Sequence, residues 1–551
     1  MTRGYSPYTD IFAHHPPWMF FFTWLIALTG VRTVLIFRLI QCIAFTGIWI
    51  VGYISTRNNR INAWAWILCV LLDAAFFPIY RGFMVLADPW AARGLLILSV
   101  FLFTNIKWIL TPLQQWISAL LIVIVCMSAY WTLIPLSVLI SAYIINGYLS
   151  AFMERKRKST KIENHSNTVQ AFLVHSAKMI CIASIPFAIL FLGLMWTGNM
   201  NHFIKQTYTF NRTKYAKFYK LPGYSRSFIN FHRHVKTHLI NSKNHENWIQ
   251  DMSTHHIFRN AYPGISEDQS NLYRVFLVTH ILFALILAQR RRFLLAMMYL
   301  LYISMLFVRE DKSFFHCSPY FYQSFFASGY VISDCLLRLK QQFHRHRLMA
   351  ILLILMLSGY GFLWIKPLKM SVNLHRYLIN EPSVRISSSQ IPDLIRVMTD
   401  PDERIYAFPV GEILYLLAER EPASGFLYYY PWIAVWNDAP RKLLDDLEKH
   451  KPPVMYYVPE TTVWSYQASV YAKPIISYIN RHYEPFASRI PKFRHVYIRK
   501  EMRTTIRNRI EIKAGYELDW RLFSDEPKDH DSVIQLKKIP APVLYNIEKS
   551  E

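Results

Sequence analysis

Residues 112–152 read PLQQWISALLIVIVCMSAYWTLIPLSVLISAYIINGYLSAF, and the run Met153-Glu154-Arg155-Lys156-Arg157-Lys158 follows at once. The quoted stretch divides into two uncharged windows, Pro112–Tyr130 and Thr132–Phe152. Each has the length, roughly 18 or more residues without a charge, that a ~30 Å hydrocarbon layer demands of a helix. Two such windows closed by a cationic run are the pattern of two membrane helices and the loop that orients them.

The same reading, carried outward, places further helices near Thr33–Ile54, Ile61–Ile79, Gly82–Phe103, Phe172–Trp196, Leu272–Ala288, Phe293–Val308, Pro319–Leu336 and Leu348–Ile365. About 10 spans are therefore expected, within a membrane part covering residues 1–365. Alternating sides along them puts Arg57, Arg60, Lys107, the 154–161 run, Arg290–Arg292 and Arg338–Arg347 on one face, which the positive-inside rule makes cytoplasmic. Residues 1–16, the 197–271 loop, the 309–318 loop and everything after Lys366 fall on the opposite face.

The chain has 61 Lys and Arg against 36 Asp and Glu, a formal charge of +25 over 551 residues. In a soluble protein that excess points to nucleic acid. Here the cations crowd short inter-helix loops, where they set topology and meet anionic lipid, and no zinc finger or RNA-binding signature is present, so no nucleic-acid partner is expected. Cys42, Cys69, Cys126, Cys181, Cys317 and Cys335 show no metal-ligand spacing, and five of them sit in apolar segments. The N-terminus, with Pro7, Pro16 and Pro17 ahead of the first span, lacks the basic-then-apolar layout of a signal peptide.

Mean hydropathy is only +0.16 despite these windows, so a sizeable extramembrane part must exist. Residues 366–551 supply it. Short β-rich runs (Arg404–Pro409, Val454–Pro459, His495–Ile498) alternate with helical stretches (Ile391–Thr399, Gly411–Ala418, Ala439–His450), which predicts a small α/β domain. It holds no glycine-rich phosphate loop, HExxH or GxSxG.

The densest outward segment is Gly4-Tyr5-Ser6-Pro7-Tyr8-Thr9-Asp10-Ile11-Phe12-Ala13-His14-His15-Pro16-Pro17-Trp18. A carboxylate, two adjacent imidazoles and a rigid Pro-Pro turn lead into the aromatic run Phe20, Phe21, Phe22 and Trp24, which suits a membrane interface. The plain alternative is a solvated tail entering a helix. The segment also resembles the G-x-x-PY-x-D-x-x-x-HKPP signature of bacterial glycosyltransferases of the C superfamily, relatives of the aminoarabinose transferase and the protein mannosyltransferases. Further likenesses follow in order: Phe203–Tyr215 is similar to the family's N-L-x-Y loop, and Arg309 with Phe314-Phe315-His316-Cys317 and Pro319 to its R…F-x-HY…P segment. Arg404–Phe408, Gly411, Tyr415–Ala418 and Pro422-Ala423-Ser424 resemble the strand–helix–RxPAS passage of the outer domain.

The resemblance implies an integral-membrane enzyme that takes a sugar from a polyprenyl-phosphate carrier on the outer face of a bacterial inner membrane and passes it to a lipid, envelope-glycan or protein acceptor. Such a transfer needs a base for the acceptor hydroxyl while an oxocarbenium-like centre forms, and cations or donors for the leaving phosphate. Asp10 is the expected base or its orienter. Asp88, in an Asp88-Pro89 pair that resembles the family's acidic TEP position, is the second catalytic candidate; an N-cap followed by proline at the first helical turn is its bland reading. Tyr8, His14, His15, Arg81, Arg309 and His316 are the expected substrate- and phosphate-binding residues. His14 matches the family's His. His15 stands where the family has Lys, which leaves imidazolium, Arg81 or Arg309 to serve the phosphate.

Asp73 reads as a buried, satisfied carboxylate, and Arg93 and Lys178 as the awkward mid-span charges. The run Arg309, Asp311, Lys312 and His316 has solvation on a loop as its plain reading. The pairs His232/His234 and His255/His256 have no matched carboxylate spacing; the sequence names no cofactor and leaves a divalent metal open. Family members keep a membrane helix ending in an acid upstream of the motif, 11 spans in all, so either translation starts upstream of Met1 or the chain is a truncated, inactive scaffold. A transporter or flippase of lipid-linked glycans is the non-enzyme rival.

Overall fold

The computed structural model describes residues 8–13, 15–29, 34–76, 87–104, 110–157, 166–216, 224–236, 265–290, 292–307, 318–343, 346–380, 390–436, 438–463, 466–486 and 493–514. Its first part is helical: α1 (Trp18–Leu28), α2 (Val34–Thr56), α3 (Arg60–Phe76), α4 (Ala87–Thr104), α5 (Pro112–Ser128), α6 (Leu133–Arg157) and α7 (Ser166–Trp196). A helical stretch over 200–215, partly π-helical, leads to α8 (Tyr224–Val235), α9 (Ile265–Gln289), α10 (Phe293–Met305), α11 (Ser318–Gln342) and α12 (Arg347–Asn380). A helix occupies each of the ten apolar windows.

The chain is a helical membrane protein, and among the described residues five stretches, in α2, α6, α7, α9 and α12, are long and apolar enough to cross a bilayer. Polarity runs opposite to that of a soluble bundle. The two least buried spans, in α7 (11% of the window) and α12 (17%), are the most apolar, and the half-buried α9 is less so. Lipid is the solvent for the outer helices, so the large side chains they expose, such as Ile180, Ile189, Leu192, Leu355 and Phe362, are an interface rather than a defect. At the centre α11 is buried almost throughout Ser318–Cys335 and packs along α3. Gly329 makes that approach close: a Cβ there would lie 2.6 Å from the carbonyl oxygen of Ala65.

Polar pairs fasten the helix ends. Asn62 of α3 donates to Thr104 of α4 at 2.9 Å, and Gln114 of α5 to the Ser55 carbonyl of α2 at 3.0 Å. Arg290, Asp334 and Arg338 meet where α9 and α11 end. These are the ends that alternation assigns to one common face. α12 runs on past Ile365, where its apolar window closes, because helix propensity does not stop with hydrophobicity; in this extension Ser371 and His375 bond the Ala75 carbonyl of α3.

The C-terminal part contains α13 (Gln390–Met398), β1 (Tyr406–Phe408), α14 (Ile413–Leu417), α15 (Pro431–Ala434), α16 (Ala439–His450), β2 (Val454–Tyr457), β3 (Thr462–Val463), β4 (Tyr466–Gln467), α17 (Ala468–Tyr471), α18 (Lys473–His482), β5 (Tyr483–Pro485), β6 (Val496–Arg499) and α19 (Arg503–Ala514). The main sheet has order β1-β2-β6-β5, with β1 parallel to β2 and the other pairs antiparallel. Helices cover both faces. Tyr406, Phe408 and Met455 join Leu443, Leu447, Ile475 and Ile479 on one side, while Ala407, Val454 and Ile498 join Ile395, Met398, Ile506 and Ile510 on the other. Double coverage is why these strands read as continuous apolar runs rather than alternating ones.

Candidate functional site

The N-terminal motif folds as a compact turn. Tyr8, at φ 71°, donates its amide to the Ile11 carbonyl at 2.9 Å. Its ring is buried edge-on against Phe20 and Phe203, and its hydroxyl donates to the His15 carbonyl at 3.1 Å. Burial, and after it the neighbouring Tyr130, push the Tyr8 phenol well above its usual range, so it stays a donor. Gln206 clamps the turn from outside: its amide nitrogen donates to the Tyr8 carbonyl, and its oxygen accepts from the Ala13 amide at 2.8 Å. Thr9 bonds Asn199.

The far side of the turn docks on the C-terminal part. Phe12 inserts between Phe210, Phe426 and Trp436, with ring centroids 5.2, 5.5 and 6.2 Å away, and its amide donates to the Gly425 carbonyl at 3.0 Å. Gly425 has to be glycine here, since a Cβ would collide with the Asp10 carbonyl. Asp10 and His15 are exposed on this anchored frame. Beyond His15, Pro17 opens α1, and Trp18 and Phe22 pack on Trp90 of α4 at 5.5 and 4.5 Å, tying the motif to the bundle.

Asp88 lies in the first turn of α4 and is buried, and its carboxylate accepts from Trp131 Nε1 at 2.7 Å. The contact holds the carboxylate against the turn between α5 and α6. Trp131 belongs to the turn between α5 and α6 whose Tyr130 lies near Tyr8 and Thr207. One loop thus reaches both carboxylate neighbourhoods. His14, Arg81, Arg309 and His316 lie outside the described residues.

Two buried polar centres sit deeper. Asp73 accepts from Trp49 Nε1 at 3.1 Å and from Arg93 at 3.5 Å, while the Arg93 guanidinium is sandwiched between Phe45 (3.7 Å) and Tyr322 (4.6 Å). The mid-span Arg is therefore matched by the carboxylate that the sequence reads as satisfied. Lys178 is exposed on α7. The second centre was not singled out in the sequence. His280 of α9 bonds the Tyr299 hydroxyl at 2.6 Å through Nδ1 and the Ser324 hydroxyl at 2.9 Å through Nε2. Ser324 spends its proton on the Tyr320 carbonyl at 2.7 Å, so it accepts from Nε2–H and leaves Nδ1 to accept from Tyr299. A lone His within an apolar window was the available signal.

Among the described residues no group of three His, Cys, Asp or Glu is placed to hold a metal. No family model, curated protein or solved structure matches the chain.

Proposed function

We propose that the chain is an integral-membrane glycosyltransferase that moves a sugar from a polyprenyl-phosphate carrier to a lipid, envelope-glycan or protein acceptor on the outer face of a bacterial inner membrane. One observation carries this reading: the segment that resembles the C-superfamily signature is a turn anchored on both sides, by Gln206 and by Gly425, that displays Asp10 and His15. A catalytic group needs such fixing, because a base acts only from a held position within hydrogen-bond reach of its proton. In this reading Asp10 takes the acceptor hydroxyl proton as the new glycosidic bond forms and the sugar–phosphate bond breaks, and the carrier leaves as polyprenyl phosphate. Asp88, bonded to Trp131, acts as a support. In this reading all ten apolar windows cross the membrane, and the C-terminal part from α13 onward forms an extracytoplasmic α/β domain over the site.

The test is transfer of labelled sugar from a polyprenyl-phosphate donor to membrane acceptors. Asp10→Asn keeps the side-chain shape and removes the base, and is expected to lower transfer by ~10²–10⁴-fold with expression intact. Undiminished transfer by Asp10→Asn removes Asp10 as the base, whereas no transfer by the unaltered chain with any polyprenyl-phosphate sugar replaces the enzymatic reading with the inactive scaffold. Movement of intact donor across liposomes without transfer would instead select the flippase.

A further inference from the structure

We infer that the end of the bundle around Asp334 is a binding surface for the phosphodiester headgroup of an anionic membrane lipid. The surface is built on one ion triplet. Asp334, itself buried, pairs with Arg290 at 2.7 Å and Arg338 at 2.6 Å. Arg290 is further held by the Tyr330 hydroxyl at 2.6 Å and Arg338 by Gln289 at 2.8 Å. Both guanidiniums are thereby fixed while about a third of each side chain stays exposed. One carboxylate neutralises only one of them.

The charge imbalance grows around this pair. Arg292 caps α10, Lys340 ends α11 and Arg347 opens α12, all at the same end. Asp334 is the only carboxylate in residues 271–307 and 318–380. Lys340 and Arg347 are exposed and have no acidic partner among the described residues. Alternating with these cations are exposed apolar side chains: Phe293 at 67%, Leu336 at 51%, Phe343 at 56% and Leu348 at 72%. Cations interleaved with large exposed apolar groups match the boundary of a bilayer, where phosphate lies beside acyl chain; a soluble anion leaves the apolar half unexplained. Fixed guanidinium forks suit a phosphodiester, which accepts two parallel N–H bonds. The inference rests on the chain lying in a membrane and is independent of the glycosyltransferase proposal.

The test is lipid retention by the purified full chain, counted by native mass spectrometry after extraction from equal mixtures of phosphatidylglycerol and phosphatidylcholine. Phosphatidylglycerol is expected to be retained in preference, with each removed cation costing about five-fold. Arg338→Gln tests the fixed pair. The double variant Lys340→Gln/Arg347→Gln, which leaves the Asp334 contacts intact, covers the case in which Arg338→Gln fails to fold. Raising salt should release the lipid from the unaltered protein. Equal retention of the two lipids, a preference unchanged in the double variant, or displacement of phosphatidylglycerol by soluble glycerol phosphate at matched concentration would overturn the assignment.

Discussion

The amide of Phe12 donates to the carbonyl of Gly425 at 3.0 Å, joining the N-terminal motif to the C-terminal part through backbone rather than side chain. Only a residue without a Cβ permits this approach. Gly425→Ala should therefore loosen the turn, at a cost of ~1–3 kcal/mol typical of forced overpacking. Limited proteolysis should show faster cutting within residues 8–17. Gly193→Ala, where a Cβ meets nothing within 4 Å, serves as the neutral control, and equal cutting in both would contradict the clamp.

Arg93 and Asp73 form a buried pair at 3.5 Å inside the bundle. Removing one partner strands a charge in low dielectric, so Asp73→Asn or Arg93→Met alone should destabilise by ~3–5 kcal/mol, whereas the double replacement should recover most of the loss. Thermal melts in detergent measure both. Additive losses in the double variant would show that the two groups do not compensate each other.

Tyr299 supplies the proton that His280 Nδ1 accepts, at 2.6 Å. Tyr299→Phe keeps the ring and leaves the buried nitrogen unsatisfied, an expected loss of ~1–3 kcal/mol. Replacing both, Tyr299→Phe with His280→Leu, should cost less than the sum of the single changes. A strictly additive double-mutant cycle would argue against the hydrogen bond.

His450 accepts from Arg404 through Nε2 at 3.0 Å, and burial followed by the Arg404 charge holds its pKa below the ordinary 6.5. The folded form therefore resists protonation. As pH falls below 6.5 the unfolded chain binds more protons, so the C-terminal part should lose stability there and keep its full contribution above. His450→Gln preserves an acceptor and should flatten the melting temperature profile between about pH 7.5 and 5. His495, also lowered by burial and then by Arg494, will leave a residual slope. A profile identical to the unaltered chain would remove His450 as a cause.

The positions of the helices were legible from the chain alone, because the length of an uncharged run reports the local solvent of each residue. The ten windows were readable for that reason, the Ala439–His450 helix was readable instead from apolar residues recurring every four positions among charges, and the loop charges already grouped Arg290 with Arg338. The N-terminal motif stood out through its unusual density of Asp, His and Pro. Tertiary structure alone decided which groups meet. The pairing of Arg93 with Asp73 depends on the rotation of α3 against α4, and hydropathy sees each charge singly. His280 looked like one polar residue in an apolar run until α10 and α11 brought Tyr299 and Ser324 to its two nitrogens. Gln206 and Gly425 carried no local mark of their task, which exists only once distant segments close on Tyr8 and Phe12. Burial periodicity is a local property of a chain, whereas a hydrogen-bond partner is fixed by the packing of elements far apart in sequence.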